Sequence, residues 1–424
     1  MDSLSRRWLT LGSCAALLGF AVAARADDID ALGLTAAVEQ PQKAEQPVRA
    51  YAELAVGRIA RRFGLAQEDA RRLSIDFSAT VRMGNGWRLA FSDRLDDIHP
   101  AETGTHSTLN SVREAYAGWQ EEGGSAQLDF GRVNLRLGSA VAFNPTDYFR
   151  EGANRAVTSV DPVALRENRL GTVMLRAQRL WTGGSFSVVL APDLGPRPSD
   201  QPWSLDLGAT NHSDRGLIAW NTQASERLSG QLVLYYERGK GVQLGASATA
   251  LVSDAMVGYV EWSGGKDSDP LREALGAPRS IDVRNRLAAG ATYTTKNRLA
   301  LTAEFEYNGF AANQSMLRDT RARSGNDAFG AYLFEIQRRQ DIASRGAAVL
   351  YALQRDAGIK NLDLTALLRV NLDDSSRFVW TEARYRGPSF DLALQWQVYS
   401  GGPPSEYGAL TQRSILQVLA AFYF

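Results

Sequence analysis

Cysteine is nearly missing from this 424-residue chain: it occurs once, at Cys14. That count excludes a disulfide framework and a thiolate metal site. Histidine is scarce as well. His99, His106 and His212 stand at spacings that match no metal motif. Net charge is absent, because 47 basic residues balance 47 acidic ones, and a nucleic-acid binder usually shows a basic excess. Past residue 26 no segment approaches the ~18 consecutive apolar residues of a membrane helix. The Gly-x-Ser-x-Gly, phosphate-loop and dinucleotide glycine patterns are also missing. Asp96-Asp97 near His99 and the His212-Ser213 pair are weak hints of hydrolase chemistry, and histidines in polar loops are usually just solvated. No enzyme activity, cofactor or metal is expected.

What is present begins at the N-terminus. Arg6-Arg7 form a basic region, Leu9 to Ala24 an apolar one, and Ala24-Arg25-Ala26 a small-residue cleavage site. This is the pattern of a secretory signal peptide over residues 1–26. Residues 27–47 are polar and carry two prolines, which suits a periplasmic tail or linker. An exported chain without helical spans is periplasmic, extracellular or an outer-membrane barrel.

Periodicity chooses among these. Leu73, Ile75, Phe77, Ala79, Val81 and Met83 alternate with Ser74, Asp76, Ser78, Thr80 and Arg82. Gly84-Asn85-Gly86 then supplies a hairpin turn, and Trp87, Leu89 and Phe91 resume the apolar face. The pattern returns at Leu299–Asn308 and at Phe390–Val398. Such runs span 9–11 residues, the length of a tilted membrane strand and longer than the ~5–6 of a soluble sandwich. Trp87, Trp119, Trp181 and Trp262 read as a girdle beside glycine-bearing turns. The last strand alternates Leu416, Val418, Ala420, Phe422 and Phe424, and resembles the C-terminal insertion signal of Gram-negative outer-membrane barrels. Phe422 and Phe424 are therefore the expected membrane-insertion signal.

The expected fold is all-β: a transmembrane antiparallel β-barrel of about 16–18 strands over residues 48–424. Eighteen strands are legible from Leu73 onward, including one at 328–338, and Tyr51 to Val56 reads as a short first strand. Arg58 to Arg72 looks too charged for a strand. The total of nineteen conflicts with the even number that the topology requires, and the miscount is expected near 203–208 or 361–386.

Residues 126–181 carry the most information. Val133, Leu135 and Leu137 are expected to face lipid, with Asn134 and Arg136 toward the lumen. The returning strand sets Val173, Leu175 and Ala177 against Thr172, Arg176 and Gln178. The connection 138–169 exceeds the ~15 residues beyond which loops are usually functional. It mixes Asp147, Glu151, Asp161 and Glu167 with Arg150, Arg155, Arg166 and Arg169, as suits a loop folded into a pore. Asn144-Pro145 would set its bend, and Asp147 would cap a helical turn. The candidate pore residues are Arg132, Arg136 and Arg176 on the wall, with Asp147 and Arg150 in the constriction.

Asp129-Phe130-Gly131-Arg132-Val133-Asn134 through Asn144-Pro145-Thr146-Asp147-Tyr148-Phe149-Arg150 resembles a motif of a poorly characterised proteobacterial family of porin-like outer-membrane β-barrels. There a strand "GR-N-R-G" leads into a loop "NPTD-F". Ser92–Asp96 and Leu165–Leu170 look similar to the same family. The resemblance implies a channel for passive passage of small solutes in the cell outer membrane. The partners to expect are outer-membrane lipid, the barrel-assembly machinery and a small solute, with a homo-oligomer left open and no nucleic acid. The alternative is the outer-membrane component of an export or lipid-transport system.

Overall fold

A computed structural model describes residues 47–100, 106–195, 198–199 and 201–424. The expected signal peptide, and all but the last residue of the expected tail, lie outside them. The described residues form eighteen strands: β1 (Val48–Arg61), β2 (Glu68–Arg82), β3 (Trp87–His99), β4 (Thr108–Gln120), β5 (Ala126–Val133), β6 (Thr172–Trp181), β7 (Gly184–Ala191), β8 (Arg215–Ser225), β9 (Leu228–Glu237), β10 (Gly241–Ser253), β11 (Met256–Ser268), β12 (Ile281–Thr294), β13 (Leu299–Asn308), β14 (Gly346–Gln354), β15 (Leu362–Asn371), β16 (Arg377–Arg386), β17 (Phe390–Ser400) and β18 (Gln412–Tyr423). Each pairs antiparallel with its neighbours in sequence, and β18 pairs with β1. The sheet is thus closed and has no edge, so every strand finds hydrogen-bond partners without water.

Period-two alternation sorts the side chains. On β13, Leu301, Phe305 and Tyr307 are exposed, whereas Thr302, Glu304, Glu306 and Asn308 are buried. On β17, Leu392, Leu394 and Trp396 face out, and Asp391, Gln395 and Gln397 face in. The apolar face is therefore outside and the polar face inside, the reverse of a soluble barrel. Arginine at Leu394 should cost roughly 2–4 kcal/mol near a bilayer midplane, while arginine at Gln395 is tolerated. Denaturant titration of the refolded barrel in lipid checks this, and equal losses at both sites would refute the assignment of faces.

Short connections gather at one end of the barrel, with Phe424 beside Ala50. In the turn between β2 and β3, Asn85 (φ 61°) and Gly86 (φ 79°) adopt the positive φ that their residue types tolerate. A Cβ on Gly86 would lie 2.0 Å from the Gln120 carbonyl oxygen. The opposite end carries nine loops. Among them L3 (134–171), L4 (192–214) and L7 (309–345) hold the helices α1 (Pro162–Glu167), α2 (Leu207–Thr210) and, in L7, α4 (Gln314–Arg339). A further helix, α3 (Pro270–Ala274), lies between β11 and β12. Among the described residues no helix is long and apolar enough to cross a membrane.

Several expectations need correction. The extra strand is 328–338, not a segment near 203–208 or 361–386: these residues belong to α4. Phe329, Tyr332 and Ile336 recur at helical spacing and pack with Leu271 of α3. Strand β1 is no short segment but runs through Arg58 to Arg61, and β2 starts at Glu68. The charges that argued against strand pair across the ladder, Arg58 with Asp69 at 3.1 Å and Arg61 with Glu68. Trp262 lies in the middle of β11 rather than beside a turn, because that strand extends to Ser268.

Candidate functional site

The barrel interior is organised by loop L3. Strand β5 kinks at Gly131, whose φ of 132° is left-handed and whose Cβ would meet the Ala115 carbonyl oxygen at 2.4 Å. The wall pairing stops at Val133. Val133, Leu135 and Leu137 therefore do not face lipid, as alternation alone suggested. They turn inward onto Met174, Val189, Leu217, Val233 and Tyr235, an apolar patch on the inner faces of β6 to β9. Burying this patch detaches the chain from the wall and starts it across the lumen.

A loop without regular structure must still satisfy its backbone N–H groups. Two wall carboxylates do so here. Glu261 of β11 accepts from the N–H groups of Ser139 (3.0 Å), Ala140 (3.1 Å) and Thr146 (2.7 Å), and from the Thr146 hydroxyl (2.8 Å). Glu304 of β13 accepts from Val141 (2.8 Å), Ala142 (3.2 Å) and Phe143 (2.9 Å), and from the Tyr259 hydroxyl. Strand β13 is eight places from β5 in a ring of eighteen. L3 thus reaches nearly the opposite wall.

The bend lies at Asn144–Asp147, where the Asp147 N–H reaches the Asn144 carbonyl at 3.1 Å. Asp147 caps no helical turn. Its carboxylate is 2% exposed and takes both ends of the Arg169 guanidinium, at 2.7 and 3.2 Å. Arg169 also donates to Asn134 and to the Leu135 carbonyl, so one guanidinium ties three points of the loop. The helix cap falls to Asp161, which receives the Val163 N–H at the start of α1. Tyr148 stacks on Tyr235 with ring centroids 4.4 Å apart. Arg150 bonds the Asn144 carbonyl and pairs with Asp341 of L7 at 3.1 Å. Glu151, held below the usual carboxylate range despite its burial by Lys240 and Arg338, joins the turn after β9 to α4.

The returning half of L3 faces the other wall. Arg72, Arg94 and Arg113, on β2, β3 and β4, interleave with Glu53, Asp76 and Asp96; Arg113 meets Asp76 at 2.8 Å and Arg94 meets Asp96 at 2.9 Å. Arg72 donates to the Thr158 carbonyl and Arg113 to Asn168, each at 2.7 Å. Beyond α1, the lumen-facing Tyr51, Glu53, Tyr351, Glu382 and Arg384 remain partly exposed, whereas the inner faces of β8 and β13 are almost wholly buried. The least buried part of the inner wall is therefore around Tyr51, Glu53, Glu382 and Arg384, while Ala142 and Val160 of L3 pack on Val349, Leu367, Phe378 and Trp380 of β14 to β16. Asp161 stands beside Tyr351 and Glu382 on the inner wall. Burial, with Glu382 and Glu167 nearby, pushes its carboxyl up to about 6.

The candidate pore residues separate. Arg132 is 3% exposed and donates to the carbonyls of Gly171, Leu205 and Asp206, so it clamps L4 over the end of β5. Arg136 lies on the inward loop rather than on the wall. Arg176 faces inward from β6 beside Asp129 (3.5 Å) and Gln178. Asp147 and Arg150 are both within the folded loop, held by the contacts above. Phe422 and Phe424 are exposed on the outside. Of the histidines, His212 sits with Nε2 3.6 Å from Glu237 and 3.7 Å from Glu151 rather than in open solvent. Among the described residues no cluster of three or more His, Cys, Asp or Glu could hold a metal. The anchors Glu261 and Glu304 were not singled out by sequence, although Glu304 stood on the polar face of its alternation.

No family model matches the chain, and no curated protein does either. Among solved structures, the outer-membrane protein OpdK of Pseudomonas aeruginosa is similar with a TM-score of 0.55 at 10% identity, over 89% of this chain and 98% of that one. OccK11 of the same organism gives 0.53 at 12% identity, over 89% and 96%. OccK10 gives 0.52 at 12%, over 89% and 99%. At such identities the likeness is one of architecture, and the chain shares the barrel fold of the outer-membrane protein OpdK.

Proposed function

We propose that this chain is an outer-membrane channel for the passive passage of small solutes, with its short turns in the periplasm and its long loops outside. The observation that carries the reading is a closed barrel, apolar outside and charged inside, whose lumen L3 crosses and narrows. Glu53, Glu382 and Arg384 are charges left partly exposed on the inner wall there, so the remaining passage suits a polar solute. Asp147, Arg150, Arg136, Arg132 and Arg176 then act indirectly, by holding L3 and L4 in place. Insertion by the barrel-assembly machinery through Phe422 and Phe424 belongs to the same reading, as does the absence of enzymatic work. Reconstitution into a planar bilayer under a salt gradient tests it: the isolated protein conducts in discrete steps, and a barrel that stays closed without partners favours an export outlet instead.

The same recording gives a pH prediction. Above about pH 6 the Asp161 carboxyl is ionised and adds a negative charge to the lumen. Acidification from pH 7 to 5 protonates it and lowers the cation-to-anion permeability ratio. Because the folded carboxyl binds its proton more tightly than an unfolded one, acid in this window also favours the folded loop. D161N removes the step near pH 6, and an unchanged step in that variant assigns it elsewhere.

A further inference from the structure

One acidic side chain breaks the outer apolar belt. Asp93 faces outward from β3, opposite Phe77 of β2 and Val112 of β4, while its neighbour Arg94 points inward to Asp96. It stands six residues after Trp87, which marks the short-turn end of the strand. For a rise of ~3.3 Å per residue and a tilt near 40°, that is about 15 Å along the membrane normal. An apolar band is only about 25 Å tall, so Asp93 lies near its middle. Every other outward-facing charge in the described strands stands within three residues of a strand end. Hydrocarbon offers a carboxylate no hydrogen bond.

The surroundings fit a protein neighbour. Asp93 accepts the N–H of Arg94 at 2.9 Å, and on β4 Asn110, two residues before Asp93's ladder partner Val112, faces the same way. Below it, the outward face of β4 is low, with Val112, Ala115 and Ala117, where β9 presents Leu232, Leu234 and Tyr236. Small residues let two backbones approach, and polar side chains bind proteins together where lipid supplies no hydrophobic drive. Above it, L4 lies along β4, with the Asn110 N–H on the Pro202 carbonyl at 2.8 Å and Trp203 exposed. Donor and acceptor stand side by side, so a symmetry axis at this patch brings each copy's Asn110 amide to the other's Asp93.

We propose that the β3–β4 face docks a second copy of this chain through Asp93 and Asn110. The proposal rests on the membrane-barrel reading. To test it, A115C is placed in a C14S background and cross-linked in isolated outer membranes with a short bis-maleimide; L234C on β9 is the control. The expected result is most of the A115C chains at twice the monomer mass and L234C monomeric. D93L should abolish that band while keeping the heat-modifiable mobility of a folded barrel. A115C cross-linking no better than L234C, an adduct of another mass, or a D93L band of full strength overturns the interface. Native mass spectrometry of the unaltered protein decides independently, and a monomer overturns it too. Loss of heat-modifiable mobility in the unaltered protein would instead refute the barrel reading.

Discussion

Removing residues 146–164 raises the single-channel conductance severalfold and leaves the barrel folded. All eighteen strand pairings lie outside this segment, so closure of the sheet does not depend on it. The segment does hold part of the bend, α1's cap Asp161 and the side chains that tie L3 to itself and to its neighbours: Asp147 to Arg169, Arg150 to Asp341 of L7, Glu151 to Lys240 and Arg155 to Asp206 of L4. Without it Arg169 loses its bidentate partner, which in a dry core would leave a costly unpaired charge. Here water enters the vacated lumen and solvates it. Selectivity should shift together with conductance, because the passage then widens between the Arg72–Arg94–Arg113 row and Glu304. Planar-bilayer recording with unheated and heated gel mobility checks both halves of the claim. Unchanged conductance would place the limiting constriction away from L3.

The barrel was legible because its main force is local in sequence. Alternation at Leu301–Thr302–Ala303–Glu304 states which face meets lipid without any knowledge of the partner strand. That logic fails where the surroundings change along the chain. Leu135 and Leu137 continue the alternation in print, yet lipid is no longer their neighbour once β5 ends at Val133; their apolar contact is Met174 and Val233, on strands far away in sequence. Helix α4 was misread for a related reason. Phe329, Tyr332 and Ile336 carry a period near 3.6, and the Asn313 cap receiving the Met316 N–H is a local signal, but a barrel already assumed biases each short apolar run toward strand. The inward course of L3 was legible from its length and mixed charges. Its anchors were not, since a glutamate that binds three backbone amides has no pattern of its own in sequence.

Those anchors give the second large effect. In E261A together with E304A, six backbone N–H groups and the hydroxyls of Thr146 and Tyr259 lose their acceptors. A buried donor left unsatisfied costs about 1–3 kcal/mol, so the stretch 139–146 cannot stay where it is without water. Local opening is the cheapest response, because the loop releases its donors to solvent while the strand ladder is untouched. The expected recording therefore shows a raised mean conductance with frequent transitions between levels, where the unaltered channel is steady. Unfolding midpoints of the barrel should change little. E304Q is the informative intermediate: its amide keeps one acceptor but turns an N–H₂ group toward donors, so it should gate more than the parent and less than E304A. The ion pair of Asp147 with Arg169 still ties the bend to Asn134 and Leu135 in all of these variants, which confines the movement to the far half of the crossing. A double variant as quiet as the parent would mean that apolar contacts such as Phe143 against Tyr259 and Ile342 hold the loop, and that the carboxylates merely fill their places.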